Sequence, residues 1–174
     1  MKRNLKLQLV SLTIGMAFLM TPFYTGAQTS KANFTGAWVL NAEKSDMGEP
    51  SQGGSQRMGG ASLDVTQDAN LLSVVRKRTG QDGQPVITTT KYTLDGKESI
   101  NTSQRGESKS VASWSDDGKL LTIITKRTIE RDGQTMDLTS IEVWSLLNTT
   151  TLTIASKMNT PNGERKATAV YDKK

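Results

Sequence analysis

The sequence predicts an all-β chain closed into an up-and-down antiparallel barrel of about ten strands, with a two-sheet β-sandwich as the alternative closure. Three observations predict it. Tight-turn pairs recur along the chain at Asp82-Gly83, Asp95-Gly96, Asp117-Gly118, Asp132-Gly133 and Asn162-Gly163, and such pairs supply the positive φ that short hairpins need. Between them apolar residues alternate with Thr and other polar residues at a period of two, the pattern of a half-buried strand. The turns lie too close together for a crossover helix.

The strands follow in order. Stretches 34–40, 62–68, 70–79, 85–94, 97–103, 108–115, 119–130, 134–146, 150–158 and 164–172 read as strands, with further turns at 104–106 and 147–149. Leu121, Ile123, Thr125, Arg127 and Ile129 share one face; Val86, Thr88, Thr90, Tyr92 and Leu94 form a mixed face. Apolar positions change phase between Met136/Leu138 and Ile141/Val143, which predicts a β-bulge near Thr139-Ser140. Ten sequential strands leave two edges, and closure into a barrel removes them. The segment 41–62 breaks the rhythm. It holds Gly48, Gly53, Gly54, Gly59, Gly60 and Pro50 without periodicity, and reads either as a lid over a barrel mouth or as a plain connector.

Residues 1–27 read as a cleaved secretory leader. Lys2, Arg3 and Lys6 precede an apolar run from Leu7 to Met20, and Thr25-Gly26-Ala27 provides a small-residue cleavage site. The run is shorter than the roughly 20 residues of a spanning helix. Residues 28–174 then form one domain, exported to a periplasm or secreted, with no integral membrane segment after cleavage. The whole chain carries a net charge of +5, but the leader holds three basic residues and no acid, so the remainder has 19 basic residues against 17 acidic. A charge that small gives no electrostatic case for nucleic acid.

Chemistry is bounded by what is missing. The chain has neither Cys nor His, which excludes disulfides, Cys/His metal sites, thiol nucleophiles and a His general base. Most carboxylates sit in or beside turns, where turn chemistry accounts for them. Asp64, Asp137 and Glu142 lie within strands and read as solvent-face residues. Neither a calcium loop nor a phosphate-cradling glycine motif is present. The expectation is therefore a protein that is not an enzyme, with no metal and no cofactor. The basic clusters Arg76-Lys77-Arg78 and Lys126-Arg127 read as solvated strand faces, though alternation turns one of Lys126 and Arg127 inward, where a cation needs an acidic partner or a ligand anion. Trp38, Trp114 and Trp144 fall one each on strands one, six and eight and read as core. Three N-x-[ST] triplets, at Asn33, Asn101 and Asn148, are either glycosylation acceptors or chance in a Thr-rich chain.

The stretch Phe34-Thr-Gly36-Ala-Trp38-Val-Leu40 carries G-x-W on the first strand. It resembles the opening of the lipocalin and fatty-acid-binding-protein (calycin) superfamily of barrels that hold small hydrophobic molecules. Tyr92-Thr-Leu-Asp95-Gly96-Lys97, Trp114-Ser-Asp-Asp-Gly118-Lys119 and the ending Thr168-Ala169-Val170-Tyr171 are similar to turns and the terminal strand of fatty-acid-binding proteins. The resemblance implies a structural role at the barrel end for Trp38 and Gly36, and a ligand contact for Tyr171. The family's neighbouring Arg is replaced by Ala169, and its second Arg, four residues before a D-G turn, by Thr128, with Arg127 one place away. The opening G-x-W-x-L-N-x-x-K-S, with Asn41, Lys44 and Ser45, most resembles a group of small secreted bacterial proteins of unassigned function. The expected function is an exported, non-catalytic protein holding a small hydrophobic or amphipathic molecule in its barrel, with Arg127, Tyr171 and Tyr92 as polar contacts. The alternative is an envelope structural or protein-interaction module with a filled barrel.

Overall fold

A computed structural model describes residues 30–48, 61–80, 82–103, 106–131, 133–160 and 163–174. The leader expected at 1–27, and residues 49–60 of the lid or connector expected at 41–62, lie outside the described residues. Ten strands follow one another: β1 (Gly36–Leu40), β2 (Ser62–Gln67), β3 (Leu71–Thr79), β4 (Pro85–Thr93), β5 (Glu98–Ser103), β6 (Gly106–Trp114), β7 (Leu120–Arg131), β8 (Gln134–Asn148), β9 (Thr151–Thr160) and β10 (Gly163–Lys173). Their sheet order is β4-β3-β2-β1-β10-β9-β8-β7-β6-β5, every ladder antiparallel. This is the meander that the turn spacing predicts, with β1 and β10 paired to join the ends of the chain.

The two strands at the ends of that order, β4 and β5, are neighbours in sequence. Side chains span the seam between them. Asn101 accepts from the Lys91 amide at 2.8 Å and donates to the Lys91 carbonyl at 2.9 Å. The Ser99 hydroxyl accepts from the Thr93 amide at 2.8 Å. A carboxamide both donates and accepts, so Asn101 bonds β4 much as another strand's peptide would.

Alternation fills the closed half of the barrel with hydrocarbon. Leu63, Val65, Leu72, Val74, Leu121, Ile123, Leu152 and Ile154 are buried, with Trp38, Trp144, Tyr171 and Phe34 the largest of the fully buried side chains. Phe34 lies before β1. Its ring stacks on Trp114 at 5.8 Å and meets Trp144 edge-on at 5.6 Å. The three tryptophans, far apart in sequence, thus sit at one end of the barrel. Trp38 donates its indole N–H to the Phe34 carbonyl at 2.9 Å, and Lys173 covers its ring at 5.3 Å. Gly36 stands beside that lysine with φ at +153°, and a Cβ there would lie 2.8 Å from Lys173 Cε.

The bulge falls elsewhere than expected. The β7–β8 ladder runs unbroken from Leu120↔Ser145 to Arg131↔Gln134, and the register shift lies between Leu146 and Asn148 on β8. The phase change at Ile141 and Val143 arises because these residues face outward, while Ser140 and Glu142 keep the inward phase of Leu138 and Trp144.

The N-x-x-K-S part of the opening clamps the exit of β1 onto β10. Asn41 donates to the Asp172 carboxylate at 2.6 Å and accepts from the Lys44 amide at 3.0 Å. Lys44 Nζ reaches the same carboxylate at 3.3 Å. The Ser45 hydroxyl donates to the Asn41 carbonyl at 2.6 Å and accepts from the Val170 amide at 2.9 Å. Asp46 then pairs with Thr168 as an isolated bridge.

Candidate functional site

The site is built by strands on opposite walls. In the sheet order β3 and β8 stand five places apart among ten strands, so they face each other across the lumen. Alternation along β3 turns Leu72, Val74 and Arg76 inward, and along β8 it turns Trp144, Glu142 and Ser140 inward. Arg76 and Glu142 meet there, Nη2 to Oε2, at 2.7 Å, with side-chain exposures of 18% and 20%. The pair is a bar across the barrel.

The bar is supported from the closed end. Trp144 donates its indole N–H to Glu142 Oε2 at 2.9 Å, and the Arg76 guanidinium lies over the Trp144 ring at 5.5 Å. A planar cation on an aromatic face gains electrostatically while remaining free to bond at its edges. Burial is the largest single influence and works against the charged guanidinium, but Glu142, Tyr92 and Tyr171 together outweigh it, so the Arg76 pKa lies above its ordinary value. Burial pushes the Tyr92 phenol up, Glu142 pushes it further, and Arg76 and Thr90 pull the other way. Tyr92 therefore stands beside the bar as a neutral hydroxyl.

The lining is polar toward the other end. The inward residues that follow on β7, β8 and β9 are Thr125, Ser140 and Ser156, and on β6 Ser110, whose hydroxyl bonds that of Thr125 at 2.9 Å. Further along, Arg127 faces inward opposite Leu138. A cavity of about 50 Å³ lies between Thr125, Arg127, Leu138, Ser140 and Met158. Arg127 Nε is buried without a hydrogen-bond partner among the described residues. An open groove of about 490 Å³ crosses β6, β7 and β8 nearby, with Lys109, Lys126, Arg127 and Asp137 in its lining.

Tyr92 and Tyr171, named from sequence, are both buried and both act electrostatically on Arg76. Arg127 is separate, farther along the barrel. Gly36 and Trp38 belong to the closed end. Two residues at the centre of the site depart from the expectation. Arg76 is not on a solvated face, and Glu142 is not a solvent-face carboxylate: each is mostly buried and paired with the other. Glu142 had a signal in the alternation, since it shares parity with Leu138, Trp144 and Leu146. The bulge expected at Thr139-Ser140 hid that signal by inverting the parity. Arg76 shares parity with Leu72 and Val74, but a three-residue basic run looks like solvent. Among the described residues no cluster of acidic side chains has the arrangement of a metal site.

No protein-family model matches the chain, and no curated protein sequence matches it. A solved structure does: zebrafish ileal bile acid-binding protein complexed with cholic acid, at a TM-score of 0.51 and 15% sequence identity, with 81% of this chain and 98% of that one covered. The chain thus shares the all-β barrel fold of that protein. The similarity is one of fold, since the identity is low.

Proposed function

We propose that this protein is a non-catalytic binding protein that holds a small amphipathic molecule in its barrel. The observation that carries this reading is the polar lining around the Arg76–Glu142 bar. Desolvating an ion pair and a set of hydroxyls costs free energy that a hydrocarbon filling would avoid. Pockets place a few polar groups among apolar ones to orient a ligand, and Arg76, Glu142, Tyr92 and Arg127 stand in such an arrangement. The neighbouring fold was solved with cholic acid, an amphipathic molecule, which favours the same use. The sequence adds export to a periplasm or the cell exterior through cleavage after Ala27, and its small net charge argues against a nucleic-acid partner. Without His or Cys, a catalytic role would lack the usual general base and thiol nucleophile.

One observation favours a second reading, an envelope or interaction module with a filled barrel. The cavity beside Arg127 is about 50 Å³, against roughly 300–1,000 Å³ for ordinary ligand pockets. A ligand held in that cavity must therefore widen it.

Native mass spectrometry on protein isolated from its own compartment separates the two. A carrier shows a stoichiometric extra mass, lost on organic extraction and regained from a host lipid extract. A bare polypeptide that takes up nothing from that extract overturns the carrier reading and leaves the filled module. The same spectrum reads the cleavage site.

A further inference from the structure

The Arg76–Glu142 bar carries an inference about the ligand's chemistry, which rests on the carrier reading. Both hydrogen bonds recorded for the Glu142 carboxylate, from Arg76 and from the Trp144 indole, end on Oε2. Oε1 has no partner among the described residues. Arg76 bonds Glu142 through Nη2 and shares a hydrogen bond with the Tyr92 hydroxyl, which leaves further donors among the five N–H groups of a guanidinium. The bar therefore offers a ligand an open acceptor beside open donors, while its two charges neutralise each other. The nearest lining beyond it consists of hydroxyls from Thr125, Ser140 and Ser156, which are also neutral and both donate and accept.

We infer that the ligand presents to this bar an uncharged polar group that both donates and accepts hydrogen bonds, of the carboxamide or hydroxyl kind, and that a carboxylate is rejected there. A carboxamide N–H meets Glu142 Oε1 while its carbonyl takes an Arg76 N–H. A carboxylate brings a second negative charge against Glu142 in a poorly solvated site, and the one cation at hand is already neutralised. It also lacks the donor that Oε1 would accept. Discrimination of this type is strong because the wrong group leaves buried polar atoms unpaired. Arg127 does not relieve the conflict, since it lies two inward positions beyond Ile123, the β7 residue opposite Glu142.

The test compares three probes of one chain length, dodecanamide, dodecan-1-ol and dodecanoate, by calorimetric titration of the leaderless protein at pH 7.5. The amide and the alcohol are expected to bind at least about tenfold more tightly than dodecanoate, the size of one lost charge-assisted hydrogen bond. Glu142→Gln leaves the Arg76 charge unneutralised, so dodecanoate should gain tenfold or more and the order should reverse. If that variant does not fold, the Arg76→Gln/Glu142→Gln double variant removes both charges, and the preference should fall to within about threefold. Dodecanoate binding the natural protein as tightly as the amide overturns the inference and leaves the carrier reading standing. So does a preference unchanged by these substitutions. Failure of all three probes to bind the natural protein overturns the carrier reading, and this inference with it.

Discussion

Arg76 and Glu142 are 66 residues apart in sequence and on opposite walls of the barrel, yet their side chains meet at 2.7 Å. The contact ties the half of the barrel that contains β1–β4 to the half that contains β5–β9 through the lumen, in addition to the ladders that run around the wall. It also divides the interior. Toward the closed end lie Trp144, Leu72, Val74 and Ile154; toward the other lie Thr125, Ser140 and Arg127.

Breaking this pair on one side should cost more than removing it. Glu142→Ala leaves a guanidinium held in a mostly buried place without its counter-charge, and deprives the Trp144 indole N–H of its acceptor. A loss of about 3–5 kcal/mol is expected. The Arg76→Met/Glu142→Leu double variant replaces both charges with hydrocarbon and should recover most of that loss. Urea unfolding of the three proteins checks this. A double variant as unstable as the single one would mean that the bar contributes net stability to the fold.

The architecture could be read from the chain because its signals are local. Turn pairs such as Asp95-Gly96 and Asp117-Gly118 depend on backbone conformations that few residues adopt, and alternation between them marks each strand. The inner and outer assignment of β8 could not be read the same way. Ile141 and Val143 are apolar residues on the outer face, and Ser140 and Glu142 are polar residues on the inner one. A pattern read on the assumption that hydrocarbon points inward infers a bulge there. A site that needs polar groups in a lumen inverts the usual alternation, so the residues hardest to place from sequence were those at the centre of the site. Arg127 was easier, because Leu121, Ile123 and Thr125 carry its parity without interruption.

The β4–β5 seam should depend strongly on Asn101. Asn101 supplies both a donor and an acceptor to Lys91. Asn101→Ala removes two hydrogen bonds at a partly solvated edge, a loss of about 1–2 kcal/mol at an ordinary net value per bond. The Lys91 amide should exchange with deuterium much faster in the variant, while amides of the β7–β8 ladder keep their protection. Equal acceleration in both places would show that the substitution loosens the whole barrel rather than the seam.

The clamp at Asp172 should weaken in acid. The Asn41 hydrogen bond, and then the Lys44 ammonium, hold this carboxyl below its ordinary value. A group whose folded-state pKa is lowered contributes stability above its unfolded pKa and loses it as pH falls through the folded one. The contribution should thus be intact at neutral pH and disappear below about pH 4. A carbon-detected titration of Asp172 should give a midpoint under the usual aspartate value, and Asn41→Ala should raise it. A midpoint that does not move in Asn41→Ala would remove the clamp as its cause.

Gly36 faces two separate constraints, and two variants distinguish them. The first is its φ of +153°, a conformation rarely adopted by residues with a Cβ. The second is the Lys173 stem, whose Cε would stand 2.8 Å from that Cβ. Gly36→Ala should destabilise the barrel by roughly 1–3 kcal/mol. Adding Lys173→Ala clears the space, but it also uncovers the Trp38 ring and leaves the backbone strain in place. If strain dominates, the double variant stays as unstable as Gly36→Ala; if crowding dominates, it recovers. The geometry favours strain, because a lysine stem is flexible and can move aside whereas the backbone is held by the β1–β2 ladder from Gly36↔Val65 onward. Thermal unfolding of wild type, both single variants and the double variant decides it, and full recovery in the double variant would refute the strain account.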